Sequence, residues 1–158
     1  MRNYTKLIVL SFAFIILLVS CADSPPSYAD YTHKPMEIKV DGDTKTLDKA
    51  QKLFNEKDYQ TANTHLARLA GYYTKNAEVQ LYFGITFLEL DQYPLAHITF
   101  DKVLLYKDSG FVDDAQWYLA LMALKQNDLE TCKTHLKLIV KDTDRYEQAS
   151  GLLKKLND

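Results

Sequence analysis

The hydrophobic residues of the chain follow three patterns, which divide it into three parts. A run of mostly apolar residues extends from Leu7 to Val19. Residues 22–42 follow, with three prolines among Ser, Thr and Asp and with little periodicity. From residue 43 onward, apolar positions recur at the spacing of amphipathic helices, and small residues lie among them at regular intervals. This pattern predicts an all-α domain over residues 43–158.

Four positions of the helical part recur in register, which indicates an internal repeat. The second copy follows the first by 34 residues, and the third follows the second by 36. The three sets are Ala50, Tyr59, Ala62 and Leu66; Gly84, Tyr93, Ala96 and Phe100; and Ala120, Leu129, Cys132 and Leu136. Small residues at a helix contact allow two helices to approach closely. We therefore expect hairpins at about 43–76, 77–110 and 113–146 that pack through Ala50, Ala62, Gly84, Ala96, Ala120 and Cys132.

This register resembles the tetratricopeptide repeat (TPR), whose helix pairs carry small and large apolar residues at these steps. The resemblance implies a right-handed α-solenoid of about three hairpins, and a capping helix is expected at about 145–157. Two features depart from the family: the proline after the second helix is missing from every copy, and Cys132 replaces the usual alanine. Asn76, Asp113 and Asp144 are the expected N-caps of three of the helices.

The N-terminal region has the pattern of an export signal over residues 1–20, with Arg2 and Lys6 before the apolar run. The run is shorter than the roughly 20 apolar residues that span a bilayer, and a stop-transfer anchor or a buried helix is the alternative. Leu18-Val19-Ser20-Cys21 resembles the lipobox of bacterial lipoproteins. That resemblance implies cleavage before Cys21 and attachment of acyl chains to this cysteine.

The stretch from the lipidated cysteine to residue 42 reads as a flexible tether, because it is rich in proline and small polar residues. About 20 extended residues of this kind reach at most ~70 Å. The alternative concerns Met36-Glu37-Ile38-Lys39-Val40, in which apolar residues alternate with charges. That alternation is typical of an extended piece that packs onto the domain.

Length and charge restrict the function further. A chain of 158 residues has room for one modest domain, and no second catalytic domain fits. After the first twenty residues it contains 17 basic and 21 acidic residues. Nucleic acid is therefore not an expected partner, because binding a phosphate backbone needs a clustered basic surface. With Cys21 processed and Cys132 alone, no disulfide framework is available.

No residue pattern predicts catalysis, a metal site or a cofactor. The four histidines do not form a set of three or four convergent ligands, as zinc requires; they are His33, His65, His97 and His135. Asp41-Gly42-Asp43 and Asp142-Thr143-Asp144 lack the remaining ligands of an EF-hand loop. With five glycines and no phosphate loop or nucleophile motif, the chain is not expected to be an enzyme.

The resemblance also implies where a partner would bind. In the family, side chains of the first helix of each hairpin line a concave groove. The matching positions in this chain are Leu47, Gln51, Leu81, Ile85, Trp117 and Leu121. Because they are mostly apolar, the expected occupant is an apolar or amphipathic segment of a partner protein. The alternative is that these side chains are core, or are covered by the chain's own residues 32–42.

Together these observations favour a membrane-anchored, non-catalytic adaptor for protein–protein interactions in the bacterial cell envelope. Two alternatives stay open: a structural subunit of an outer-membrane assembly or secretion complex, and a binder of a small ligand in the groove. The outer membrane is favoured over the inner one, although Ala22 and Asp23 do not decide between them.

Overall fold

The computed structural model of the protein describes residues 24–42, 44–141 and 143–158. The regular secondary structure in these ranges is helical throughout, which confirms the all-α prediction. A 3-10 turn at Tyr28–Asp30 precedes α1 (Thr44–Asn55), α2 (Tyr59–Tyr72), α3 (Ala77–Glu89), α4 (Tyr93–Leu104), α5 (Val112–Lys125), α6 (Leu129–Lys137) and α7 (Asp144–Lys155). The predicted export signal and the predicted lipidation of Cys21 lie outside the described residues.

The same tight turn joins α1 to α2, α3 to α4 and α5 to α6. Each turn contains a non-glycine residue with positive φ: Lys57 at 63°, Asp91 at 57° and Asn127 at 60°. The next residue donates its backbone N–H to a carbonyl five residues earlier, as Asp58 does to Leu53 at 2.9 Å. This geometry ends a helix with a left-handed residue and satisfies its last carbonyls. The turns are 34 and 36 residues apart, which is the spacing of the sequence repeat.

Contacts between helices follow the order of the chain. Most contacts between helices join each helix to the next, so α1–α2, α3–α4 and α5–α6 form hairpins that also touch one another. Alternate helices meet as well, because α3 contacts α5, and α5 contacts α7. The 3-10 turn contacts α5.

The six small residues of the repeat are all buried: Ala50, Ala62, Gly84, Ala96, Ala120 and Cys132. Gly84 of α3 faces the Phe100 ring of α4, and a Cβ atom on it would lie 2.6 Å from Phe100 Cε1. Phe100 in turn stacks on Tyr118 of α5, with ring centroids 5.8 Å apart. The absence of a side chain at Gly84 therefore lets α4 pack closely on α3.

The helices differ in how much of their circumference is buried. Nine residues are buried in each of α3 and α5, whereas α1, α2, α4, α6 and α7 bury between two and four. A helix that is apolar on all sides must be covered on all sides. Neighbouring helices leave part of α3 and α5 uncovered, so another element of the chain must cover those faces.

That element is residues 24–42, which we name the N-terminal segment. Met36 is 1% exposed and Ile38 is 2% exposed, and Val40 is partly buried against the same core. The prediction of a flexible tether is therefore wrong for these residues. The alternative, a packed piece in which apolar residues point inward and charged ones outward, is confirmed for Met36–Val40. Among the described residues, no helix has the length and apolar character needed to cross a bilayer.

The last helix, α7, is held to α5 by a buried charge pair. Arg145 is 4% exposed, and its Nε donates to Asp114 Oδ1 at 2.5 Å. The Arg145 guanidinium also donates to Gln148 Oε1 at 2.6 Å and lies over the Trp117 ring. Removing one partner of such a pair leaves an uncompensated buried charge, which is strongly destabilising.

One of the three expected N-caps is confirmed and two are wrong. Asn76 caps α3, because its side chain accepts the Val79 N–H at 2.9 Å. Asp113 instead lies in the first turn of α5, which follows Phe111, and Asp144 is the first residue of α7. Carboxylates in a first helical turn are favourable because they face the positive end of the helix dipole, so both positions resemble caps in sequence.

Replacing Gly84 with alanine tests the close approach of α3 and α4. The new Cβ forces the Phe100 ring to move, and we expect Gly84→Ala to lower the free energy of unfolding by about 1–3 kcal/mol. Gly151 of α7 is the matched control, since a Cβ there meets no atom within 4 Å. Gly151→Ala is expected to raise stability by up to ~1 kcal/mol in urea unfolding, because alanine favours helix. Equal effects of the two substitutions would contradict the packing described.

Candidate functional site

The groove is the surface formed by α1, α3 and α5, to which the six predicted partner-binding residues belong. Five of them are 1–4% exposed: Leu47, Leu81, Ile85, Trp117 and Leu121. Gln51 is partly buried, and its Oε1 atom has no hydrogen-bond partner. As the structure stands, these five side chains are not accessible to a partner, and the N-terminal segment covers Trp117 through Tyr31. Their role in binding a partner stays a prediction, and it requires the segment to move.

The N-terminal segment crosses the groove from α5 over α3 to α1. Tyr31 meets the Trp117 ring edge-to-face, with centroids 5.4 Å apart. His33 lies among the aromatic rings of Phe54, Tyr59 and Tyr118, at centroid distances of 5.5–6.0 Å. Aromatic pairs in this geometry contribute about 0.5–1.5 kcal/mol each beyond the area they bury. The segment therefore occupies the groove through side chains inserted between helices.

Side chains of the helices also bind the backbone of the segment. Asn55 of α1 makes two bonds to Met36: its Oδ1 accepts the Met36 N–H at 2.8 Å, and its Nδ2 donates to the Met36 carbonyl at 3.2 Å. The Tyr82 hydroxyl donates to the Pro35 carbonyl at 2.8 Å. These bonds recognise an extended peptide by its main chain, so they do not depend on which side chains that peptide carries.

A polar cluster anchors the first half of the segment at the end of α3. Glu89 Oε1 accepts a hydrogen bond from the Tyr28 hydroxyl and lies 2.6 Å from His33 Nε2. Lys125 of α5 lies over the Tyr28 ring, and its Nζ is 2.7 Å from Asp91 Oδ1. The carboxylate of Glu89 thus binds two residues of the segment at once.

Burial and hydrogen bonding shift the pKa values of this cluster. Burial raises the pKa of Glu89, but hydrogen bonds from His33 and Tyr28 outweigh it, so the pKa lies below its usual 4.5. Burial, with the Glu89 bond, raises the pKa of Tyr28 far above its usual range. Burial also raises the pKa of Tyr59 to about 12. At neutral pH Glu89 is ionised and both tyrosines are neutral, and the Tyr28 hydroxyl donates to Glu89.

A cavity of about 630 Å³ lies beside this cluster, lined by residues of the segment together with Phe54, Tyr59, Glu89 and Lys125. His33 belongs to the lining, and its Nδ1 atom is buried without a hydrogen-bond partner. The cavity is walled in part by the segment and in part by the helices. Its walls would therefore change if the segment moved.

Other polar and reactive groups are placed elsewhere. In the described ranges, no three residues of His, Cys, Asp or Glu are grouped to hold a metal ion. His135 Nδ1 lies 2.8 Å from Gln116 Oε1, and exposed His97 lies 2.9 Å from Asp101 Oδ2. Burial raises the pKa of the Cys132 thiol to about 11, so this cysteine is protonated at neutral pH. A protonated thiol is a poor nucleophile.

Comparison with known proteins gives no family for this chain. No protein-family model matches it, and comparison with curated proteins and with solved structures found no match. The groove and its occupant are therefore interpreted from their own geometry.

Sequence reasoning predicted a groove along α1, α3 and α5, which stays a prediction, and it missed the residues that hold the segment. Asn55, Glu89 and Tyr28 carry no motif, because each acts only when the fold brings it to a partner up to 61 residues away. The one usable signal was the alternation of Met36, Ile38 and Val40, which predicts burial of one face. It gives no indication of what that face packs against.

The pH dependence of the stability of a Glu89→Gln variant tests the role of the polar cluster. The lowered pKa means that ionised Glu89 stabilises the fold above pH 4.5, and that this contribution is lost as the pH falls through its folded-state value. We expect the variant to be about 1–3 kcal/mol less stable at neutral pH. Denaturant unfolding over a pH series should show this difference shrinking in acid.

The control for this substitution is Glu56→Gln, which removes an exposed glutamate 4.0 Å from Lys52 on α1. Exposed pairs of this kind contribute about 0.3–0.5 kcal/mol, so the control should barely differ from the parent. If Glu89→Gln is less stable than the parent by the same amount down to low pH, the carboxylate charge does not hold the segment.

Proposed function

We propose that the protein is a membrane-anchored, non-catalytic adaptor for protein–protein interactions in the bacterial cell envelope. In this proposal the helices form a TPR-like, right-handed solenoid, and acyl chains on Cys21 hold it to a membrane, with the outer membrane favoured. The turns at Lys57, Asp91 and Asn127 support the solenoid, because the same left-handed backbone conformation recurs at the spacing of the sequence repeat.

The observation that carries the proposal is the way the groove holds an extended peptide. It supplies apolar pockets for alternate side chains and donors or acceptors for the main chain, as Asn55 does for Met36. Peptide-binding surfaces use this combination, in which main-chain bonds give affinity and pockets give specificity. A partner segment with aromatic and aliphatic residues at matching steps could therefore take the place of the N-terminal segment.

Because the chain itself occupies the groove, a partner must compete with the N-terminal segment for binding. The apparent affinity for a partner falls in proportion to the fraction of molecules whose groove is open. Each 1.4 kcal/mol of segment docking weakens partner binding tenfold. The N-terminal segment therefore acts as a competitor, and partners that bind weakly are rejected.

Cross-linked envelopes provide the test, with variants that open the groove. Met36→Asp with Ile38→Asp places two charges in an apolar site, which expels the segment because unpaired buried charge is costly. The variant should capture the same envelope proteins as the parent in higher yield. Adding Trp117→Ala to the opened variant should abolish the gain, since it removes the largest side chain of the groove floor.

Lys34→Asp with Lys39→Asp is the matched control, because it adds the same charged residues at exposed positions of the same segment. It should capture as much as the parent. Circular dichroism confirms that each variant stays helical. Equal capture by the parent, the opened variant and the Trp117→Ala variant would show that the groove does not bind the partners.

A further inference from the structure

We propose that Gln51 of α1 selects a partner segment over the chain's own segment in the groove. In the structure the oxygen of its side-chain amide accepts no hydrogen bond, whereas a partner with a longer extended main chain would supply the donor. This inference rests on the proposed function, because it takes exchange of the groove's occupant as given. It goes further by naming the residue that distinguishes the two occupants and the group that a partner must present.

The first observation is where the unsatisfied polar atoms lie. Among the described residues, two buried side-chain atoms lack a hydrogen-bond partner, His33 Nδ1 and Gln51 Oε1. One belongs to the N-terminal segment, and the other belongs to α1, which binds that segment through Asn55. A buried acceptor without a donor costs free energy, and such atoms are rare in folded proteins. The chain's own segment therefore covers the groove without satisfying all of its polar groups.

The second observation is that Gln51 repeats the position of Asn55 one turn earlier on α1. Residues four apart on a helix are neighbours on the same face. Asn55 accepts the Met36 N–H at 2.8 Å and donates to the Met36 carbonyl at 3.2 Å. Gln51 also carries a side-chain amide, so it offers a peptide the same donor and acceptor. We name Asn55 and Gln51 the amide pair.

The third observation is that the spacing of the amide pair matches an extended peptide. Met36 and Ile38 are buried and Glu37 between them is exposed, which is the alternation of an extended chain. From Asn55 the segment runs back along α1, because it leads into the start of that helix. Four helical residues rise about 6 Å, and two extended residues cover about 6.6 Å. Since alternate residues of an extended chain point their N–H groups to the same side, the Ile38 main chain is expected beside Gln51.

The covalent link between the segment and α1 gives a reason why the second amide stays unused. The backbone bends at Asp41 and Gly42, and Gly42 has a positive φ of 114°. The Tyr73 hydroxyl of α2 donates to the Asp41 carbonyl at 2.5 Å, which holds the end of the segment toward α2. A partner segment has no link to α1, so its main chain can stay extended past the residue that replaces Ile38. It can then bind both members of the amide pair.

Use of Gln51 therefore sets the preference for a partner over the segment. A hydrogen bond that also satisfies a buried acceptor is expected to strengthen binding about tenfold. Specificity of this kind depends on the difference in affinity between two occupants of one site. The selected occupant is an extended protein segment with apolar residues at alternate positions and a main-chain N–H at the second of them, which excludes proline there.

Peptides of residues 28–40 with a fluorescent label test the inference on the full-length protein, with the groove opened by Met36→Asp and Ile38→Asp. Fluorescence anisotropy measures their affinity. N-methylation of the peptide's Ile38 nitrogen removes the donor for Gln51 Oε1, and it should weaken binding about tenfold. N-methylation at Glu37 is the matched control and should change affinity little, because the N–H of the intervening residue points away from α1.

Substitution of the amide pair identifies the acceptor. Gln51→Met keeps the length of the side chain and removes its amide, so the unmodified peptide and the peptide methylated at Ile38 should bind this variant equally. With Asn55→Met both peptides should bind more weakly and the difference between them should persist. In the parent protein with its groove covered, Asn55→Met should lower the urea midpoint and Gln51→Met should not, because the segment uses only the first amide.

The failure of this inference is distinguishable from the failure of the proposed function. If the unmodified peptide does not bind the opened variant, the groove does not exchange its occupant, and both are wrong. If the peptide binds but N-methylation at Ile38 weakens it no more than N-methylation at Glu37, the role of Gln51 is wrong while exchange stands. The same conclusion follows if the effect of N-methylation at Ile38 persists in Gln51→Met.

Discussion

The fold depends on covering two helices that are apolar around most of their circumference. α3 and α5 each bury nine residues, among them four of the five buried groove residues and the small residues Gly84 and Ala120 of the repeat. Neighbouring helices cover part of each helix and leave the groove side. An extended segment completes the cover by inserting Tyr31, Met36 and Ile38. Burying a side chain such as Ile38 contributes about 1.5–3 kcal/mol, so the cover also stabilises the domain.

The same requirement connects stability with function. In the proposed function the groove exchanges its cover for a partner segment, which main-chain recognition by Asn55 and Tyr82 would accept because it does not depend on side chains. The polar cluster at Glu89 sets how firmly the first half of the segment is held.

Much of the fold was predictable from the sequence, because periodicity and repeat spacing are local signals. The 34- and 36-residue steps match the spacing of the three tight turns, and the small residues Ala50, Gly84 and Ala120 are buried. The course of residues 24–42 was predictable only in part. The alternation of Met36 and Ile38 indicated a buried face, whereas the proline-rich composition favoured a tether. Two contacts decide between a packed segment and a tether: Tyr28 with Glu89, and Met36 with Asn55. Each joins residues that are distant in sequence, so neither leaves a pattern in the sequence.

Amide hydrogen exchange of the N-terminal segment tests the central claim most directly. The Met36 N–H donates to Asn55 Oδ1 and belongs to a residue that is 1% exposed, although no helix or strand contains it. We expect this amide to exchange many times more slowly than in an unstructured peptide of the same sequence, and to lose that protection when Asn55 is changed to alanine. Exchange of Met36 at the rate of the free peptide in the parent protein would show that the groove is uncovered, and it would contradict the account.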